Sequence, residues 1–248
     1  MKFSVFQTSQ IGGRKRNEDR MGYTYSKSAA IFLVADGLGG HPDGDVASQL
    51  GLQVVMSKFR THAKPRIDHV ANFLTEAMTD VHESLIAYAV SHSMIDTPST
   101  TMVVVIVQDG LAHLAHCGDS RGYLIRQLQL ITRTQDHSLL VRDSGLLSQS
   151  DMELPSRHTL FSCLGASTVP FIEVSEPLPL RFGDRIFLCS DGLWGSVTEA
   201  DILQSMQDPR ISEATGALVD LALHNGGVRG DNVTALTMRW EETGNLLR

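Results

Sequence analysis

Short apolar runs punctuate the chain, each cut off by glycine, aspartate or serine. KFSVFQT, near the N-terminus, alternates apolar and polar positions as a strand with one solvated face does. AIFLVA, TMVVVIV, LAHLAH, GYLIR, RIFLCS and VTALTMRW also read as strands. One helix is predicted over 45–59. A second is predicted to start near Pro65, since proline suits the first turn of a helix. Its residues Ile67, Val70, Leu74, Met78, Val81 and Leu85 recur every three or four places and give one apolar face. A shorter helical pattern covers 212–223.

The order is strands, two consecutive helices, then several strands joined by turns such as QDG and GDSR. Such short connections join only antiparallel neighbours, which excludes a doubly wound parallel sheet. Antiparallel sheets with helices packed outside are expected, an α+β architecture. Residues 137–165 break the rhythm, with helical fragments but no strand between two strand-rich regions. An insertion of this length beside a core sheet is an active-site flap or a decorative excursion, and the flap is favoured. No repeat, low-complexity tract or linker divides the chain. One domain is expected over 1–241, with a tail at 242–248.

Composition narrows the function classes. Among 248 residues, 42% are hydrophobic and 20% charged, as in an ordinary globular protein. A formal net charge of −7 argues against a nucleic-acid-binding surface. MKFSVFQTSQ carries one lysine and no long apolar core, unlike a signal peptide. No apolar run approaches the ~18 residues that cross a bilayer. A cytoplasmic monomer without nucleic-acid or membrane partners is therefore expected. The cysteines, Cys117, Cys163 and Cys189, are odd in number and imply packing residues rather than a disulfide framework. None is followed six positions later by an arginine, so a cysteine-nucleophile phosphatase is excluded on spacing. His113 and His116 fall on opposite faces of a strand, which argues against a shared metal. His62, His69, His82, His92 and His224 are expected on the surface.

Aspartates at the strand ends carry the candidate chemistry. Asp36 closes AIFLVA and opens DGLGGHPDGD; Asp119 follows LAHLAHC; Asp191 follows RIFLCS; Asp231 precedes VTALTM. Each has a glycine beside it. Aspartate and glycine are common in turns, and for any single position that suffices. Four together are different: strand ends in stacked sheets converge on one rim, and carboxylates crowded there repel unless a cation neutralises them. An all-oxygen set suits Mg²⁺ or Mn²⁺ rather than Zn²⁺. On this reading Asp36 holds metal and the glycines clear the space around it.

RKRNED, DGLGGHPDGDVAS, STT, GDSR, DHS, SDGLW and GDNVT stand in an order and spacing that resembles the metal-dependent protein phosphatase (PPM) family, PP2C in particular and in its bacterial form. The resemblance covers nearly the whole chain. It implies a four-layer α-β-β-α sandwich with two Mn²⁺ or Mg²⁺ ions in a cleft at one end. Asp36 would bridge the ions, the Gly37 carbonyl would bind one, and Asp191 and Asp231 would hold the other. Glu18 would act through metal-bound water, and Asp119 matches the ligand of a third ion found in bacterial members. Arg14 matches the phosphate-binding arginine, and its planar fork suits a phosphoryl group. Asp19 is read as support for the carboxylates. His41 either protonates the leaving oxygen or orders its loop.

The resemblance implies a serine/threonine protein phosphatase in which a metal-bridging water attacks phosphoserine or phosphothreonine directly, in opposition to a serine/threonine kinase. Two alternatives are a phosphatase of small phosphomonoesters and a non-catalytic regulatory module of the same fold. The intact aspartate set disfavours the second. The flap end LPSRHTLFSCLG departs from many bacterial members, with Leu154-Pro155 and Phe161-Ser162 where those have His-Pro and Thr-Arg. His158 in that segment is a candidate contact.

Overall fold

The computed structural model describes residues 1–38, 43–138 and 159–241. His41, His158, Leu154-Pro155, most of the expected flap and the tail at 242–248 lie outside them. All the expected strands form. In chain order the described strands are β1 (Phe3–Gln10), β2 (Asp19–Tyr25), β3 (Ala29–Asp36), β4 (Met102–Gln108), β5 (Leu111–Cys117), β6 (Arg121–Arg126), β7 (Gln129–Arg133), β8 (Glu173–Val174), β9 (Leu178–Pro179), β10 (Arg185–Cys189) and β11 (Val233–Trp240). The helices are α1 (Gly44–His62), α2 (Val70–Ser91), α3 (Asp191–Trp194), α4 (Glu199–Ser205) and α5 (Ile211–Gly226).

The strands build two antiparallel sheets, ordered β1-β11-β10-β6-β7 and β2-β3-β4-β5-β8, with β9 also on β5. Side-chain alternation explains why β3 and β4 read as unbroken apolar runs. Ile31, Leu33, Met102, Val104 and Ile106 pack against α1 and α2. Their neighbours Phe32, Val34, Val103, Val105 and Val107 enter the core between the sheets with Leu188, Leu236 and Met238. Both faces of these strands are dry, so both must be apolar. The other sheet turns Phe187, Cys189 and Ala235 towards Leu218 and Ala222 of α5. Three apolar layers between four structural layers make an α-β-β-α sandwich.

Three expectations need correction. The GDSR turn joins β5 to β6, which lie in different sheets and are not antiparallel neighbours. The second helix begins at Val70, not near Pro65. Ahead of it the Gln108 side chain donates to the Ile67 carbonyl (2.9 Å) and accepts from the Ile67 amide (2.8 Å). Both backbone groups of Ile67 are thereby satisfied without a helix, while its side chain is buried. His82 is buried rather than on the surface, because its Nδ1 accepts from the Gly165 amide at 3.1 Å.

Cys117 and Cys189 are buried, Cys163 is half-buried, and all three are free thiols. Burial pushes the Cys117 thiol up to about 12 and raises Cys189 and Cys163 as well. The thiolate is the reactive form, so folding should protect these groups. Iodoacetamide at pH 8 is expected to label Cys117 and Cys189 only after denaturation, with activity retained in the treated native protein. Peptide mass spectrometry reads this directly, and fast native labelling of both would contradict it.

Candidate active site

Chain ends of several strands meet at one rim of the sandwich. Asp36 is the last residue of β3, Asp119 lies in the turn from β5 to β6, and Asp191 opens α3 after β10. Asp231 stands just before β11, and Arg14 and Glu18 come from the segment joining β1 to β2. A cleft of about 690 Å³ opens there, bordered by Arg14, Glu18, Asp36, Gly37, Asp119, Asp191 and Asp231. Asp19 lies behind it, buried and directly opposite Asp36 in the β2–β3 pairing. The sequence candidates among the described residues therefore come together.

Local backbone chemistry holds them. The Asp36 carbonyl accepts from the Thr101 amide and the Thr100 hydroxyl, each at 2.8 Å, which ties the STT stretch to the end of β3. A Cβ at Gly37 would lie 2.1 Å from the Gly44 carbonyl oxygen, so only glycine lets α1 start this close. Gly192 is equally constrained, its Cβ position lying 2.1 Å from the Asn232 carbonyl oxygen. These glycines bring three chain segments into contact around the carboxylates.

The electrostatics of the cleft are adverse. Burial holds the Asp36 carboxyl well above the usual range, and the charges of Asp19, Asp191, Asp119 and Asp231 push it further. Asp19 is raised to about 7 by burial, against the hydrogen bonds it receives. One of its oxygens accepts from the Ser190 hydroxyl at 2.7 Å; the other, Oδ1, is buried without a partner. Burial and then Asp45 raise Glu18. Arg14 answers with a direct ion pair, its Nη2 lying 2.6 Å from Asp231 Oδ2.

Sequence reasoning passed over several residues here. Lys15 and Arg16 also border the cleft, so Arg14 is not the only cation at its mouth. Asn232 is a three-way tie: it donates to the carbonyls of Ile11 (2.8 Å) and Arg16 (2.9 Å) and accepts from the Glu18 amide (2.8 Å). Its place in GDNVT was the available signal. On the far wall the Trp194 indole donates to the Asp119 carbonyl at 2.9 Å. The Arg121 guanidinium lies 3.7 Å over that indole and forks onto Asp136 at 2.8 and 2.7 Å. SDGLW, GDSR and DHS are thus one connected structure.

Comparison with known proteins agrees with this geometry. The family model described as protein phosphatase 2C matches residues 6–221. The serine/threonine phosphatase stp of Listeria monocytogenes is 30% identical over 244 residues, covering 96% of each chain. The crystal structure of the Mycobacterium tuberculosis serine/threonine phosphatase PstP/Ppp superposes with a TM-score of 0.80 at 30% identity, covering 97% of this chain and 99% of that one. A structure of the PstP catalytic domain in complex with two manganese ions is 29% identical, with a TM-score of 0.77 over 97% of this chain and 99% of that one. The chain belongs to the protein phosphatase 2C family. It is a metal-dependent serine/threonine protein phosphatase, acting on phosphoproteins.

Asn232 offers a test of how the cleft is held. Asn232→Ala leaves two carbonyls and one amide, all in part-buried contacts, without their partner. Stability should fall by about 1–3 kcal/mol, with a larger fractional loss of activity as the 14–18 segment loosens. Urea unfolding and steady-state kinetics on the same preparation check both parts.

Proposed function

We propose that Asp36, the Gly37 carbonyl, Asp191 and Asp231 hold two divalent cations, Mn²⁺ or Mg²⁺, with Asp119 as a ligand of a third. The observation that carries this is the convergence of Asp36, Asp119, Asp191 and Asp231 on one cleft. The residues fit the ions: the donors are all oxygen, as hard cations require. Burial raises the Asp36 carboxyl first and the neighbouring aspartates raise it further, and that second part is the cost of leaving the cluster uncompensated. When bound, the ions supply charge neutralisation and an activated water for in-line displacement at phosphorus.

The chain's own groups do the rest. Asp36 reaches the cleft from a backbone locked by Thr100 and Thr101, so its position is set by the sheet rather than by the ions. Arg14, already beside Asp231, presents a guanidinium fork to the substrate phosphoryl group and links its placement to that of a ligand. Glu18 orients water at the cleft floor, and Asp19 with Ser190 supports Asp36 from behind. His41 is three residues beyond Leu38, which borders the cleft, and is the proposed proton donor to the leaving serine or threonine oxygen. The substrates are phosphoserine and phosphothreonine in proteins, the products of an opposing protein kinase.

Hydrolysis of a phosphothreonine peptide should require added Mn²⁺ or Mg²⁺, and Asp231→Asn should cut it by roughly two orders of magnitude or more. Arg14→Ala should lower kcat/KM about ten- to a hundredfold, mostly through KM, because the phosphoryl group is charged before and during reaction. Arg16→Ala, assayed alongside, should cost less. Full turnover in excess EDTA, or near-normal Asp231→Asn, would refute the assignment.

His41 is tested by the leaving group. An alkoxide needs a proton as it departs, whereas p-nitrophenolate does not. His41→Ala should therefore slow the phosphothreonine peptide about 10²-fold while sparing p-nitrophenyl phosphate. Equal losses on both substrates would reassign His41 to ordering the loop.

A further inference from the structure

Away from the carboxylate cleft, the sheet β2-β3-β4-β5-β8 carries a second cluster with a different donor set. His116 on β5 lies directly opposite Glu173 on β8 in the strand register. His137, just after β7, brings its ring to 4.4 Å from that of His116, centre to centre, and its Nε2 to 3.8 Å from Glu173 Oε2. One ligand atom from each of the three lies within 4.8 Å of the other two. His113, the other histidine of β5, takes no part.

Both imidazoles are almost wholly buried, His116 at 1% exposure and His137 at 2%. His116 Nδ1 and His137 Nε2 are nevertheless left without a hydrogen-bond partner. Two orphaned ring nitrogens in one buried place need a reason, since buried polar atoms are almost always paired. The hydrogen bonds that do exist set the tautomers. The Gln135 carbonyl at 2.8 Å can only accept, so His116 carries its proton on Nε2 and leaves the Nδ1 lone pair bare. A ring N–H donating to a backbone carbonyl is the outer support that metal-binding histidines use. Burial lowers the pKa of His116 and takes His137 down to about 4, so both rings are neutral at physiological pH. A cavity of about 60 Å³ is bordered by His116, Glu173, Thr134 and Arg133.

We propose that His116, His137 and Glu173 form a transition-metal site, suited to Zn²⁺ or Co²⁺ and separate from the cleft. Two imidazole nitrogens and one carboxylate select such ions over Mg²⁺. Tetrahedral coordination at about 2.0–2.1 Å needs donor atoms roughly 3.3 Å apart, so the cluster must contract. Glu173, exposed and at the sheet edge, supplies most of that movement. His137 supplies the rest at a defined cost. In the metal-free chain the Gly118 amide donates to its Nδ1 at 3.2 Å, which places the ring proton on Nε2. Coordination through Nε2 shifts that proton to Nδ1 and deprives the Gly118 amide of its acceptor; neither ring releases a proton overall. The site therefore communicates with the backbone next to Asp119.

The test is titration of the protein with Co²⁺ in excess Mg²⁺, followed by visible absorption. Tetrahedral nitrogen coordination gives intense bands, whereas a six-coordinate oxygen site gives weak ones. The wild-type bands should saturate at one equivalent. Glu173→Gln, an exposed change that spares the core, should weaken Co²⁺ affinity at least tenfold and keep Mn²⁺-dependent phosphatase activity. His116→Ala should abolish the bands; if it fails to fold, Glu173→Gln alone decides. Absent bands in the wild type, or bands equally strong in the variants, would overturn the proposal and leave the carboxylate assignment untouched.

Discussion

The structure turns on a conflict between like charges. Asp36 and Asp19 face each other across two paired strands, Asp19 buried and Asp36 half-buried, and Asp119, Asp191 and Asp231 crowd the same rim. No arrangement of these groups is comfortable without a cation. The chain tolerates it because the carboxylates sit where strands end, while the packing that stabilises the strands lies between the sheets and under the helices. Stability and function are divided along the length of each strand: the middle is apolar and closed, the tip polar and open. The glycines at 37 and 192 belong to the second purpose, since they let backbones approach that side chains would hold apart.

Much of this was legible in the residues. The runs over β3, β4, β10 and β11 announce strands because both of their faces are dry. The aspartates stand out because each follows or precedes such a run. Other elements left weaker traces. β2, DRMGYTY, is half-solvated and carries Asp, Arg and Gly, so neither apolarity nor alternation marks it. The two-residue strands β8 and β9 are defined only by their partner β5. Pro65 misled because a locally permissible helix start lost to a tertiary bond: the Gln108 amide, far along the chain, claims the backbone of Ile67. His82 misled similarly, its partner being a backbone amide across the fold. Reading His113 with His116 along the strand left out His137 and Glu173, which the third dimension brings beside His116.

The cleft and the histidine cluster show two ways of accommodating donors. In the cleft, charged oxygens compete for a shared space beside solvent. In the cluster, neutral nitrogens lie inside the protein with their outer hydrogen bonds already made and their inner lone pair or proton left over. The segment 117–121 runs between them, with Gly118 bonded to His137 on the cluster side and Asp119 held by Trp194 on the other. Any displacement of Gly118 is transmitted along a very short piece of backbone.

The position of β11 has a consequence for the order of events during synthesis. It is the last described strand in the chain, yet it lies inside its sheet, with β1 on one side and β10 on the other. Arg14 reaches Asp231 across 217 residues, and Asp19 meets Ser190 across 171. Until β11 is inserted, β1 has no neighbour and the cleft lacks one wall. Long-range pairing of this kind is slow to form. A chain that has not yet reached β11 thus carries every motif of the N-terminal half and no phosphatase site, and catalytic competence appears only once that strand is made and closes the sheet.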